Sequence, residues 1–239
     1  MLQALPNPEP QIEPLEPRNP WAFIDLIVFA LFFVGLLALI APLGNLPVIY
    51  AIPLQGLFNV TLVAFISGWV RFVRRSSFTE YIHFFSSRTF STRSLVTLGG
   101  VSAIAVLFIS AFLPSSGQTP LEKLLTSTNA IVIFAVFGVA VAPLLEEIIF
   151  RGFVFKALWE IGGSRAAILV TAALFALLHA GQLAGNWGSV LLIFLVGCLL
   201  SIVRYRSNSI IPTFIVHTSY NATLFMLFAI STLAQKIGK

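Results

Sequence analysis

Seven apolar runs, at roughly 21–43, 47–70, 94–113, 129–150, 166–180, 189–203 and 208–230, leave this chain little choice of solvent. Most approach the ~20 residues that a helix needs to cross about 30 Å of hydrocarbon. The runs are continuous and lack the strict alternation of a lipid-facing barrel, whose strands would recur in segments of about ten residues. The expectation is an all-α fold, a polytopic membrane helix bundle with about seven transmembrane helices and a polar cavity inside; six or eight helices bound the count. Composition agrees, since 58% of the 239 residues are hydrophobic and only 10% are charged, against about a quarter charged in a soluble domain.

The flanks and loops carry the rest of the organisation. Residues 1–20, "MLQALPNPEPQIEPLEPRNP", are too rich in Pro and Glu to pack and read as a disordered tail. They lack the basic start of a signal peptide, and the apolar run that follows is long enough to span. Cys198, the single cysteine, excludes a disulfide within the chain. Arg18, Arg71, Arg74, Arg75, Arg88, Arg93, Lys156, Arg165, Arg204 and Arg206 fall at alternate helix ends, while Lys123, Lys236 and Lys239 fall at the others. The positive-inside rule then puts the amino terminus in the cytoplasm, and no nucleic-acid partner is expected. Residues 71–93, "RFVRRSSFTEYIHFFSSRTFSTR", read as a basic cytoplasmic loop lying on anionic headgroups, with a short interfacial helix. This loop interrupts an N-terminal group of helices, 21–124, whose spans hold no His or Glu and one acid, Asp25. Residues 125–230 form a second, chemically loaded part, and 231–239 a C-terminal tail.

Glu146, Glu147, His179 and His217 all lie in apolar runs. An ionised side chain at a helix centre costs about 2.5–3.5 kcal/mol on insertion scales, so such residues face the protein interior, pair, or line a wet cavity. Glu147 and Arg151 are four apart in the favourable order for a helical ion pair. Glu146 lies about 100° round the same helix and is left over for other work. Pro143 removes a backbone donor three residues earlier and can kink the helix. "FALLH" puts Phe175 one turn before His179, and "HTSYN" puts His217 one turn before Asn221. In "IGGS", Gly163 lies 17 residues after Glu146 and 16 before His179, so a reversal there would bring those two side chains to one height. The alternative ends the span at Gly152 and lays 153–160 on the membrane surface. Taken singly, each of these residues reads equally well as a packing clip; together, on three helices, they cost more desolvation than packing requires. Neither an H-E-x-x-H helix nor a G-x-S-x-G elbow is present. The simplest nucleophile is therefore water activated by a carboxylate.

The ordered set "EEIIFR", "FALLH" and "HTSYN" resembles the CAAX-protease and bacteriocin-processing (Abi, CPBP) family of intramembrane endopeptidases over about residues 125–230. The resemblance implies that Glu146 is the general base acting with His179, that His217 and Asn221 hold the oxyanion, that Glu147 and Arg151 support the site, and that Phe175 shapes it. It also leaves two readings of the cofactor open. Glu146, His179 and His217 could supply the three protein ligands of a catalytic zinc, or the same residues could work without metal, which suits His217 and Asn221 better as oxyanion donors. The implied substrate is a membrane-associated protein or peptide in the bilayer, including a prenylated carboxyl-terminal tail. Glu146 lies late in a helix running inward and His217 early in one running outward, so the cavity is expected to open to the cytoplasm. A non-catalytic scaffold or immunity protein would be expected to show a broken motif, and none is broken. A proton-coupled transporter would be expected to show inverted repeats or discontinuous helices, which are not evident.

Overall fold

The computed structural model describes residues 19–43, 48–85, 90–113, 128–183 and 186–237. Residues 1–18 of the expected tail 1–20 lie outside them, as do Arg88, Lys123 and Lys239. All regular structure among the described residues is helical. Helices α1 (Pro20–Ile40), α2 (Val48–Phe72), α3 (Phe78–Tyr81) and α4 (Thr92–Ser110) precede one long helical stretch. That stretch runs through α5 (Thr128–Val136), a π turn (Phe137–Val141), α6 (Ala142–Glu147), a second π segment (Ile148–Val154) and α7 (Phe155–His179). Helices α8 (Trp187–Ser207) and α9 (Ile210–Ile237) complete the bundle.

Helix α1 starts where its chemistry dictates: the Asn19 side chain accepts from Trp21 N and Pro20 occupies the first turn. Phe23, Leu31 and Leu39 on the same helix are exposed, which suits lipid. Six described stretches are long and apolar enough to cross a membrane, and the chain is an integral, multi-pass membrane protein. The count is six because the fourth and fifth apolar runs are one helical stretch, Ile131–His179.

That stretch is folded back on itself. Gly163 has φ 77° and ψ −177°, a left-handed-side conformation that glycine adopts without penalty. Arg151 and Phe175 lie twelve residues to either side of it, yet the Arg151 guanidinium is 4.6 Å from the Phe175 ring centre. On a straight helix they would be about 36 Å apart. Of the two readings of "IGGS", the reversal is the one observed, and Gly152 ends no helix but sits inside the second π segment.

Two apolar clusters hold the bundle. Phe58, Leu62, Ile66 and Val70 form one stripe of α2 and pack with Ile148, Ile149, Phe153 and Phe175. Leu95 and Ala103 of α4 pack with Leu200, Val216 and Tyr220. Helix α4 approaches α9 so closely at Gly99 that a β-carbon there would lie 2.4 Å from the Val216 carbonyl oxygen and 2.7 Å from Ser219 Cβ. Only glycine permits that approach, and it commits the 216, 219 and 220 face of α9 to α4.

At the Arg-rich end, Asp25 is buried and accepts from Trp69 Nε1 at 2.8 Å and Tyr81 Oη at 2.9 Å. Arg74 lies between Asp25 (3.5 Å) and Glu160 (3.9 Å), Lys156 pairs with Glu160, and Asn19 Nδ2 donates to Glu160 at 3.1 Å. Ile210 N donates to the His83 carbonyl at 3.1 Å, and Ser209 Oγ to that of Phe84 at 2.7 Å. The described part of the basic loop therefore docks on the bundle, with Tyr81 and Ile82 buried, where the sequence suggested a segment resting on headgroups. The reason is the buried Asp25, whose lone pairs need donors that this loop brings.

His83 in this loop titrates at about 4, below its usual 6.5, because burial disfavours its charged form and Arg204 and Lys156 add repulsion that Glu160 only partly offsets. The unfolded chain therefore binds a proton between pH 6.5 and 4 that the folded chain refuses. The stabilising contribution of neutral His83 is complete above pH 6.5 and is lost as pH falls towards 4. Unfolding midpoints of the solubilised protein at neutral and acidic pH should show a smaller acid-induced drop for His83→Gln than for wild type; an equal drop would contradict this.

Candidate active site

The site is built on a helix that two π segments have widened. Glu147 closes α6 and Arg151 sits four residues on, both fully buried, with Arg151 Nη1 3.1 Å from Glu147 Oε1. Arg151 Nη2 donates to the Gly197 carbonyl at 3.2 Å, across to α8. Helix α8 comes this near because Gly197 lies on the returning leg α7: a β-carbon there would be 3.1 Å from Ala172 Cα.

Glu147 Oε1 has a second partner. His217 Nδ1, from α9, lies 2.8 Å from it. A carboxylate accepts, so Nδ1 carries the hydrogen and, in the neutral ring, Nε2 keeps the lone pair. That nitrogen is 3.8 Å from Glu146 Oε2. Glu146 differs from its neighbour in exposure, with 20% of its side chain accessible against none for Glu147. The same logic applies to His179: its Nδ1 lies 2.7 Å from the Phe175 carbonyl, which can only accept, so its Nε2 is free to accept. Phe175 is buried against both imidazoles, its ring centre 4.4 Å from that of His179 and 5.8 Å from that of His217.

Glu146, Glu147, Arg151, Phe175 and His217 thus form one contact set, and His179 joins it through Phe175. Two expectations are modified. The neighbour of Glu146 in the described contacts is His217, whereas the sequence suggested His179. The hydrogens of His217 and Asn221 do not converge either, because Asn221 Nδ2 donates to the Gly138 carbonyl at 2.8 Å. The donor set also does not fit a zinc ion. Among the described residues no three His, Cys, Asp or Glu side chains are grouped to hold a metal, and Glu146, His179 and His217 are no exception.

The segment carrying these residues, 128–223, matches the model of a family described as Type II CAAX prenyl endopeptidase Rce1-like. This part of the chain is similar to that family. The match begins with α5, takes in all three motifs and ends two residues past Asn221. It bears out the resemblance read from "EEIIFR", "FALLH" and "HTSYN", while α1–α4 lie outside it. No curated protein and no solved structure shows significant similarity to the chain.

Sequence reasoning missed one residue that braces the matched segment. Arg204 counted there only as an end-of-helix charge, yet it is 1% exposed. Its Nε donates to the Arg151 carbonyl at 2.9 Å and its Nη1 to Asn208 Oδ1 at 3.0 Å. The Arg204/Asn208 spacing of four was the available signal, since it matches a helical side-chain pair.

Proposed function

We propose that this protein is an intramembrane endopeptidase, CAAX-type and prenyl protease-like, that hydrolyses a peptide bond of a membrane-associated protein or peptide. The observation that carries the reading is the Glu146 carboxylate, accessible and without an arginine of its own, 3.8 Å from an imidazole whose other nitrogen is fixed by buried Glu147.

Peptide hydrolysis needs a nucleophile, a stabilised oxyanion and a proton for the departing amine. A water in the gap can donate one hydrogen to Glu146 Oε2 and the other to His217 Nε2, leaving a lone pair for the scissile carbonyl carbon. As its oxygen bonds to carbon, its proton passes to Glu146 and the carbonyl electron pair moves onto oxygen. Collapse then breaks the C–N bond while the proton goes to the amine. Glu147 supports any positive charge that forms on His217, as an orienting carboxylate does in a hydrolase triad. Until collapse, the proton held on Glu146 can donate to the oxyanion; the acid product then passes its remaining proton to His217 Nε2, and that is the charge Glu147 balances. His179 closes the far side of Phe175 and is the second base within the set. By the distribution of basic residues, the Arg-rich end and the amino terminus face the cytoplasm and the cavity opens there.

The test is cleavage of a panel of membrane-associated peptides, prenylated and unmodified, by wild type and Glu146→Ala. Wild type should cleave at least one, and Glu146→Ala should lose activity by at least about a hundredfold. Equal cleavage by both would remove Glu146 from the mechanism.

A further inference from the structure

The carbonyl of Gly138 has lost its helical donor. In the π turn the Ala142 N–H bonds to Phe137 O, five residues back, so the next donor in that register is position 143. Position 143 is proline, which has no N–H, and whose ring also pushes on the preceding turn and favours the widening seen there. Inside a membrane protein an unpaired carbonyl has no water to turn to, and its partner must come from elsewhere in the fold. That partner is the Asn221 amide, 2.8 Å away on α9.

We propose that Asn221 is a positioning residue, whose side-chain amide stands in for the N–H that Pro143 lacks and thereby ties the kinked helix carrying Glu146 to the helix carrying His217. The catalytic consequence rests on the endopeptidase reading; the hydrogen bond itself does not. Glu146 lies three residues beyond Pro143, and His217 one turn before Asn221, so the bond acts on both members of the pair. The bond between His217 Nδ1 and Glu147 Oε1, at 2.8 Å, is the second tie between the same two helices. With Asn221 removed, Gly138 loses its partner, the kink is free to relax, and the 3.8 Å gap between Glu146 and His217 is no longer set.

The exchange of donors makes the idea testable by rescue. Pro143→Ala restores a backbone N–H at the position where the Gly138 carbonyl expects one, so Asn221→Ala should matter in the wild-type background and matter little beside Pro143→Ala. The four full-length proteins are purified in the same detergent, and the unfolding midpoint, kcat and KM on the cleaved peptide are measured. In the wild-type background Asn221→Ala should lower the midpoint by about 2–4 °C. It should also lower kcat about a hundredfold with KM little changed, as expected when reacting groups are misplaced. In the Pro143→Ala background both effects should largely vanish.

Equal losses of midpoint in the two backgrounds would overturn the donor replacement. Midpoints that couple while kcat stays unrescued would overturn the positioning role and assign Asn221 directly to the substrate. If Pro143→Ala alone is inactive, the midpoint cycle still decides the donor replacement, and kcat of Asn221→Gln decides the positioning. That longer side chain still carries an amide donor and should retain more activity than Asn221→Ala; no advantage over alanine would count against the proposal. If wild type cleaves nothing in the panel, the endopeptidase reading fails while the midpoint cycle continues to judge the hydrogen bond.

Discussion

Arg151→Ala should lower the amount of folded protein far more than the chemistry of what folds. Arginine and glutamate are both fully buried here, so removing one leaves the other as an uncompensated charge, a change that costs about 3–5 kcal/mol in buried pairs. The same substitution deletes the bond to the Gly197 carbonyl at 3.2 Å and the guanidinium packed 4.6 Å from Phe175. A loss of this size corresponds to a drop of roughly 6–20 °C in the unfolding midpoint of a chain this long. Glu146, His179 and His217 keep their side chains, so activity per folded molecule should fall less than yield. Midpoint and yield after mild solubilisation, compared with activity per folded molecule, make the check. A variant as stable as wild type but wholly inactive would show that Arg151 belongs to the chemistry.

The parts of this fold that could be read from sequence are those set by local spacing. Glu147 and Arg151 meet because they are four apart, and the chain reverses at Gly163 because the backbone there needs φ 77°. The grouping of basic residues at one end was also legible. Asn19, Arg74, Lys156 and Glu160 do meet there, as alternate helix ends require.

What escaped were contacts between residues far apart in the chain. Nothing in the spacing of Glu147 and His217, seventy residues apart, announces that one oxygen serves both Arg151 and the imidazole. Charge counting could not tell buried Arg204 from its exposed neighbour Arg206, since both look like flanking cations. The docking of the basic loop turns on Asp25, a single acid whose donors come from 44 and 56 residues away. The first π turn had a local cause in Pro143, but whether a proline kinks, widens or ends a helix depends on whether something else supplies the missing donor. Here that something is Asn221, on another helix.

Glu147→Gln separates the two tasks that Glu147 performs. Its Oε1 takes both hydrogen bonds, from Arg151 at 3.1 Å and His217 at 2.8 Å, while Oε2 is buried with no hydrogen-bond partner among the described residues. A carboxamide with its oxygen in the first position keeps both bonds and places its NH2 in the second. What it loses is the negative charge. His217 would still be held in place, but a proton arriving at its Nε2 would create an imidazolium beside Arg151 with no anion between them. The carboxylate-to-amide change in a serine protease triad, where the imidazole is likewise oriented by a buried acid, lowers kcat about 10⁴-fold. A loss of that order is expected here, with KM little affected, when rates are expressed per folded molecule. Some stability must be lost as well, because Arg151 keeps its charge, but less than in Arg151→Ala, since the hydrogen-bonded oxygen remains. If kcat per folded molecule stays within about tenfold of wild type, then Glu147 is only the clip for Arg151 and the charge on His217 is not part of the reaction.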